Sequence, residues 1–187
     1  ALLPATVTLA ADPDGLRAED LDALEWREVG SAASSGRITR FAVHPDDERV
    51  IFVATASGGL WKSTNAGTTW KPVFEHASSI SLGDVAIAPS NPDIVWLGTG
   101  EQNSVRSSQF GDGVYRSTDG GETWEYMGLE GSRHVGRVLI HPEDPDTVYV
   151  AALGSLWGPN EERGLYRTRD GGETWTRLLA PSEYTGV

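Results

Sequence analysis

One segment occurs three times, and that repetition limits what the chain can fold into. Gly59-Leu60-Trp61-Lys62-Ser63-Thr64-Asn65-Ala66-Gly67-Thr68-Thr69-Trp70 is matched by Gly113-Val114-Tyr115-Arg116-Ser117-Thr118-Asp119-Gly120-Gly121-Glu122-Thr123-Trp124. Gly164-Leu165-Tyr166-Arg167-Thr168-Arg169-Asp170-Gly171-Gly172-Glu173-Thr174-Trp175 is the third copy. A period of about 50 residues with an aromatic hairpin in each unit predicts a propeller. Ser63, Ser117 and Thr168 open the three turns, Asn65, Asp119 and Asp170 hold their centres, and Trp70, Trp124 and Trp175 close them. Asp119 and Asp170 can accept backbone N–H groups across the turn, and the Asn65 amide oxygen can do the same. The glycines permit positive φ. The Trp can fold back over the turn and seal the gap to the neighbouring unit. These residues are read as scaffold, not as catalysts.

A second repeat precedes each hairpin. Arg40-Phe41-Ala42-Val43-His44-Pro45 matches Asp84-Val85-Ala86-Ile87-Ala88-Pro89 and Arg137-Val138-Leu139-Ile140-His141-Pro142. After an acidic turn come Val50-Ile51-Phe52-Val53-Ala54, Ile94-Val95-Trp96-Leu97-Gly98 and Val148-Tyr149-Val150-Ala151-Ala152. These runs are short, β-branched and aromatic, so they read as buried strands. Each unit is then an inner strand, a second strand, a strand entering the turn and an outer strand carrying the Trp. The fold class expected is all-β: a β-propeller of four-stranded antiparallel blades over 36–75, 82–128 and 135–179. Glu25-Trp26-Arg27-Glu28-Val29 matches the outer strand Thr69–Val73, so 24–30 reads as a lone outer strand that closes a ring. Before it, 1–23 forms an arm, with Asp14–Leu24 as a short acidic helix or loop. Ala1–Ala11 has two readings, the end of a signal region or an apolar arm. Residues 180–187 open the next inter-blade loop. Three blades and one strand leave an incomplete ring with exposed edges. The expectation is therefore the N-terminal blades of a longer chain, or a ring completed by partner proteins.

Composition narrows the function classes. Lys plus Arg is 15 against 27 Asp plus Glu, a formal charge of −12. Such a surface repels phosphate backbones, so no nucleic-acid partner is expected. No apolar run approaches the length of about 18 residues that a transmembrane helix needs. There is no Cys, which excludes disulfides, thiolate metal sites and cysteine nucleophiles. His44, His76, His134 and His141 are scattered, and His44 and His141 share a repeat position before Pro, which suits a turn. No metal-ligand spacing and no phosphate loop occur, so neither metal nor cofactor is expected.

Ser117-Thr118-Asp119-Gly120-Gly121-Glu122-Thr123-Trp124 resembles an Asp box, the repeat of bacterial neuraminidases and sortilin-type propellers. Residues 25–187 resemble the first blades of large bacterial BNR or sortilin-like repeat proteins described as glycosyl hydrolases. Ser35–Thr39, Gly98–Glu101, Gly111–Gly121, Arg133–Arg137 and Gly158–Gly164 carry the likeness. It implies a many-bladed exported protein, hence an extracytoplasmic (periplasmic or secreted) location. It says less about activity, since propellers host unrelated functions. Xyloglucanase-type propellers have a catalytic Asp just before a Gly-Gly such as Gly58-Gly59. Here Thr55-Ala56-Ser57 stands there, without a carboxylate. Sialidases need an arginine cluster, of which Arg37 resembles the first.

Strand order places candidate binding residues. In an up-and-down blade the Asp turns share one end with the His-Pro turns. The second-to-third and inter-blade loops share the other. The second-to-third loops of the second and third units are roughly ten and eight residues longer than that of the first, and long loops on a rigid scaffold carry binding. Glu101, Arg106 and Trp157 lie in these loops, and Arg37, Arg133, His134 and Arg137 lie in or beside the inter-blade segments. Such a mixture suits glycan or peptide recognition, or ion pairs that simply order the loops. Glu101 and Glu161 are the weak catalytic candidates, since a glycosidase needs two carboxylates across the scissile bond. The leading functional expectation is a non-catalytic propeller segment acting as a protein or glycan interaction scaffold, or as a subunit or assembly factor of a larger complex. The alternative is part of a glycoside hydrolase whose site needs further blades.

Overall fold

A computed structural model describes residues 36–187. The readings placed on 1–35, including the arm and the lone outer strand at 24–30, lie outside these residues. Among the described residues, twelve strands form three antiparallel four-stranded sheets, each in chain order. Blade 1 holds β1 (Ile38–Val43), β2 (Ile51–Thr55), β3 (Leu60–Ser63) and β4 (Lys71–Pro72). Blade 2 holds β5 (Leu82–Ile87), β6 (Val95–Thr99), β7 (Val114–Ser117) and β8 (Glu125–Tyr126). Blade 3 holds β9 (Val135–Ile140), β10 (Val148–Ala152), β11 (Gly164–Thr168) and β12 (Thr176–Leu179). Among the described residues no helix is long and apolar enough to cross a membrane.

The core lies between blades, and alternation along each strand assigns the faces. Val95, Leu97 and Tyr115 of blade 2 pack with Phe52, Ala54 and Leu60 of blade 1. Trp96 and Val114 pack on the opposite side with Val138, Val148, Val150 and Tyr166 of blade 3. Blade 2 is covered on both faces, which is why β6 is apolar at every position except Gly98 and Thr99 and is buried throughout. Trp96 meets Trp175 edge-to-face at 6.0 Å.

The turns follow their chemistry. The Ser117 hydroxyl donates to Asp119 Oδ1 at 2.7 Å, and that oxygen accepts the Glu122 and Thr123 amides at 3.0 and 2.9 Å. Asp170 accepts the Thr174 amide at 2.9 Å, and Asn65 Oδ1 accepts the Thr69 amide at the same distance. Each turn also reaches the first-to-second turn of its own blade: Ala66 to Arg49 O, Gly120 to Asp93 O and Gly171 to Asp146 O. The indoles stand one residue before the outer strands rather than within them. Trp124 Nε1 donates to Val73 O at 2.7 Å and Trp175 Nε1 to Met127 O at 2.8 Å. Trp124 and Trp175 therefore each cap a carbonyl of the preceding blade.

Hydrogen bonds to Thr123 hold the Asp119 carboxyl down at about 2, and those from Thr168 and Thr174 do the same for Asp170. Both folded values lie below the ordinary value of about 3.9. The stabilisation they add is fully present above that value and is lost as the pH falls towards 2. Amide exchange at Thr123 and Thr174 should therefore accelerate relative to Thr69 between pH 4 and pH 2, because Asn65 has no charge to lose. Asp119→Asn should keep its turn and remove this dependence. Asp119→Ala should open the turn at all pH values.

Candidate functional site

At the end opposite the Asp turns, the chain leaves β6 through Gly100, whose φ is +82°. A Cβ there would stand 1.9 Å from Arg133 O, so the segment entering blade 3 crosses the end of β6 in backbone contact. Gly100 N–H donates to Ser81 O and Gly111 N–H to Arg133 O, both at 2.7 Å. This crossing carries Glu101 inward. Its amide donates to Ser81 Oγ at 3.0 Å, and its side chain is fully buried. Arg37 grips the carboxylate from the start of blade 1, with Nε 2.8 Å from Oε1 and Nη2 2.6 Å from Oε2. Such a bidentate, charge-assisted pair is the strong form of this contact.

His134 lies beneath the same loop. Its Nδ1 is 2.8 Å from Glu101 O, and burial pushes its pKa down. Phe110 packs edge-on against the imidazole at 5.3 Å and takes the Arg133 guanidinium over its face at 5.0 Å. The structure thus links Arg37 to His134 through Glu101, with Phe110 packed on His134 and Arg133 stacked on Phe110. Arg137 is elsewhere, with Nε 3.8 Å from Asp84 Oδ2. Arg106 and Trp157 are exposed. Glu161 is exposed as well, and its backbone carbonyl accepts Arg177 Nη1 at 2.5 Å. Glu101 serves as an anchor in this arrangement: a fully buried carboxylate paired with arginine is not presented to a substrate.

His44 and His141 do turn work, each using Nδ1 to accept two backbone amides, those of Asp46 and Asp47 and of Glu143 and Asp144. Two residues that sequence reasoning passed over matter here. Arg163 is buried, and its guanidinium donates to the carbonyls of Leu153, Ser155, Gly158 and Glu183, which orders the long loop of blade 3. Asp84 is buried between blades, where burial pushes its pKa up. A signal for Asp84 existed, since it holds the repeat position of Arg40 and Arg137. None existed for Arg163. A crevice of about 440 Å³ lies at the outer rim between blades 1 and 2, beside the Trp124 seal and lined by Phe74, His76 and Tyr115.

Three sequential four-stranded blades with these turns define a BNR/Asp-box repeat β-propeller, and the BNR/Asp-box repeat family model matches residues 115–126 and 166–177. Over most of its length the chain is similar to a xyloglucanase of Paenibacillus sp, at 25% identity over 83% of this chain and 22% of that protein. It is also similar to the crystal structure of the Niastella koreensis GH74 enzyme, with 28% identity and a TM-score of 0.57 over 76% of this chain and 21% of that one. The structure of YCF48 bound to D1 peptide shares the fold alone, at 15% identity and a TM-score of 0.56 over 80% of this chain and 42% of that one. The chain spans about a fifth of the length of the xyloglucanases it matches.

Proposed function

We propose that this chain is part of a longer propeller protein of the glycoside-hydrolase type, and that its loop-bearing end takes up a xyloglucan chain. The likeness to xyloglucanases favours this over a non-catalytic interaction scaffold. One observation carries the binding part. Phe110 and Trp157 are 50% and 65% exposed on the long loops, while the Glu101 carboxylate is buried and paired. Exposed flat rings beside amides and charged groups suit stacking on sugar rings with hydrogen bonds at their edges. The described blades then supply binding surface, and the two carboxylates of hydrolysis belong to blades beyond them. An extracytoplasmic location goes with this reading, because a polysaccharide of this kind is met outside the cell.

Titration with xyloglucan oligosaccharides tests the reading. Trp157→Ala should weaken binding by roughly tenfold, the scale of one aromatic stacking contact. Unaltered affinity in that variant, or no binding by the parent chain, would overturn the assignment. In the longer protein, hydrolysis should survive both Glu101→Gln and Glu161→Gln. Activity abolished by either change would place catalysis in these blades.

A further inference from the structure

The junctions between blades 1 and 2 and between blades 2 and 3 follow one plan and differ in one detail. In both, the later indole caps the carbonyl of the residue three places after the earlier Trp, Val73 in the first junction and Met127 in the second. The residue that follows is Phe74 in the first and Gly128 in the second. At Gly128 the backbone runs close against the indole, since a Cβ there would stand 3.8 Å from Trp175 Nε1. Met127 and Leu129, on either side of this glycine, pack against the core together with Trp175. Phe74 instead sends its buried ring into the junction, edge-on to Tyr115 at 4.9 Å and to Trp124 at 5.5 Å. The chain then turns at Glu75 and His76, both exposed. The crevice of about 440 Å³ is lined by this turn, by these rings and by Glu122 and Thr123 of the next Asp turn.

The lining combines buried or half-buried rings with exposed polar groups, and that combination selects a ligand. Glu122 accepts Lys62 Nζ at 3.0 Å and Lys71 Nζ at 3.1 Å, and these bonds push its pKa down, so it is an ionised acceptor at neutral pH. The Lys71 ammonium is thereby committed, while Glu75 and Glu122 bring two carboxylates to the lining. An anion is repelled by such a lining. An alkyl chain would strip water from these charges and offer them no partner. A neutral ring edged with hydroxyls suits both parts. Its C–H face can lie on an aromatic ring, and its hydroxyls can donate to the carboxylates and exchange a hydrogen bond with His76. The volume falls in the range of roughly 300–1,000 Å³ that small-molecule sites occupy.

We propose that the crevice between blades 1 and 2 is a second binding site, for the neutral sugar units of a polysaccharide. The choice of a neutral sugar stands on the lining itself. The choice of xyloglucan as the polysaccharide rests on the reading of the loops given above. Trp124 closes an Asp turn, at the end of the blades opposite Phe110 and Trp157, so an oligosaccharide can fill either site without the other. A longer polysaccharide that reaches both gains avidity.

The test is an NMR titration of the chain with xyloglucan oligosaccharides, following the indole Nε1–H signals of Trp124 and Trp157. The Trp124 signal should shift saturably, and it should still do so in Trp157→Ala. The double variant Glu75→Ala/His76→Ala changes two exposed turn residues and leaves the Trp124 seal intact. It should weaken the Trp124 response by roughly tenfold, the scale of one or two lost hydrogen bonds, and leave the Trp157 response unchanged. Sodium phosphate should leave Trp124 in place. A Trp124 signal unmoved at saturating oligosaccharide would overturn the proposal, as would a folded double variant that responds like the parent. A saturable shift with phosphate would overturn the neutral-sugar assignment. Trp124 responding without Trp157 would sink only the loop reading, and Trp157 responding without Trp124 only this one.

Discussion

Gly100→Ala should cost about 4 kcal/mol, a large share of the 5–15 kcal/mol that holds a typical domain together. Two effects add. An alanine at φ +82° carries left-handed strain of about 1–2 kcal/mol. Its Cβ would also stand 1.9 Å from Arg133 O and 2.8 Å from Gly111 N, so the two backbones must part. Parting them breaks the Gly111-to-Arg133 hydrogen bond and strains the Gly100-to-Ser81 bond, each worth about 1 kcal/mol. Gly59→Ala separates the two effects. Its φ is +71°, but nothing lies within 4 Å of the added Cβ, so it should lose only the strain. Urea denaturation of the two variants measures the difference. Equal losses would show that the close crossing at Gly100 is not what the glycine is for.

Arg37→Ala should be the second severe change, at about 3 kcal/mol. Removing one partner of a buried ion pair leaves an uncompensated charge, which costs about 3–5 kcal/mol. The lower end applies because Arg37 is 46% exposed, so water screens part of the effect. The double variant Arg37→Ala/Glu101→Gln should recover much of the loss, since the buried charge goes with its partner. A thermodynamic cycle over the four proteins reads the coupling directly. Additive losses would mean that the pair orders nothing. The structural consequence of the single change should reach His134, which meets Glu101 through its backbone carbonyl at 2.8 Å.

What could be read in the sequence is what lies within a few residues of itself. The turn bonds of Asp119 and Asp170 span four residues or fewer, as do the His44 and His141 turns, and residue type and spacing predict them. The alternating and continuous apolar runs predict the strands. The sites were less legible because they join distant parts of the chain. Glu101 in a long polar loop reads as solvent-facing, since carboxylates are seldom fully buried. Only Arg37, 64 residues away, reverses that. Asp84 reads as the start of a strand until Val138, Arg40 and Arg137 are set around it. The requirement for Gly100 comes from Arg133 O, which no local pattern announces.

The indole seals have a direction. Trp124 reaches back to Val73 and Trp175 back to Met127, so every donor comes later in the chain than its acceptor. During synthesis the earlier carbonyl leaves the ribosome first and waits, and each completed wedge offers a ready docking point to its successor. Growth can proceed as masonry does, course upon course, without a late long-range closure at every step. The same polarity eases gene duplication: a copied segment of about 50 residues arrives with a donor for the copy before it and an acceptor for the copy after.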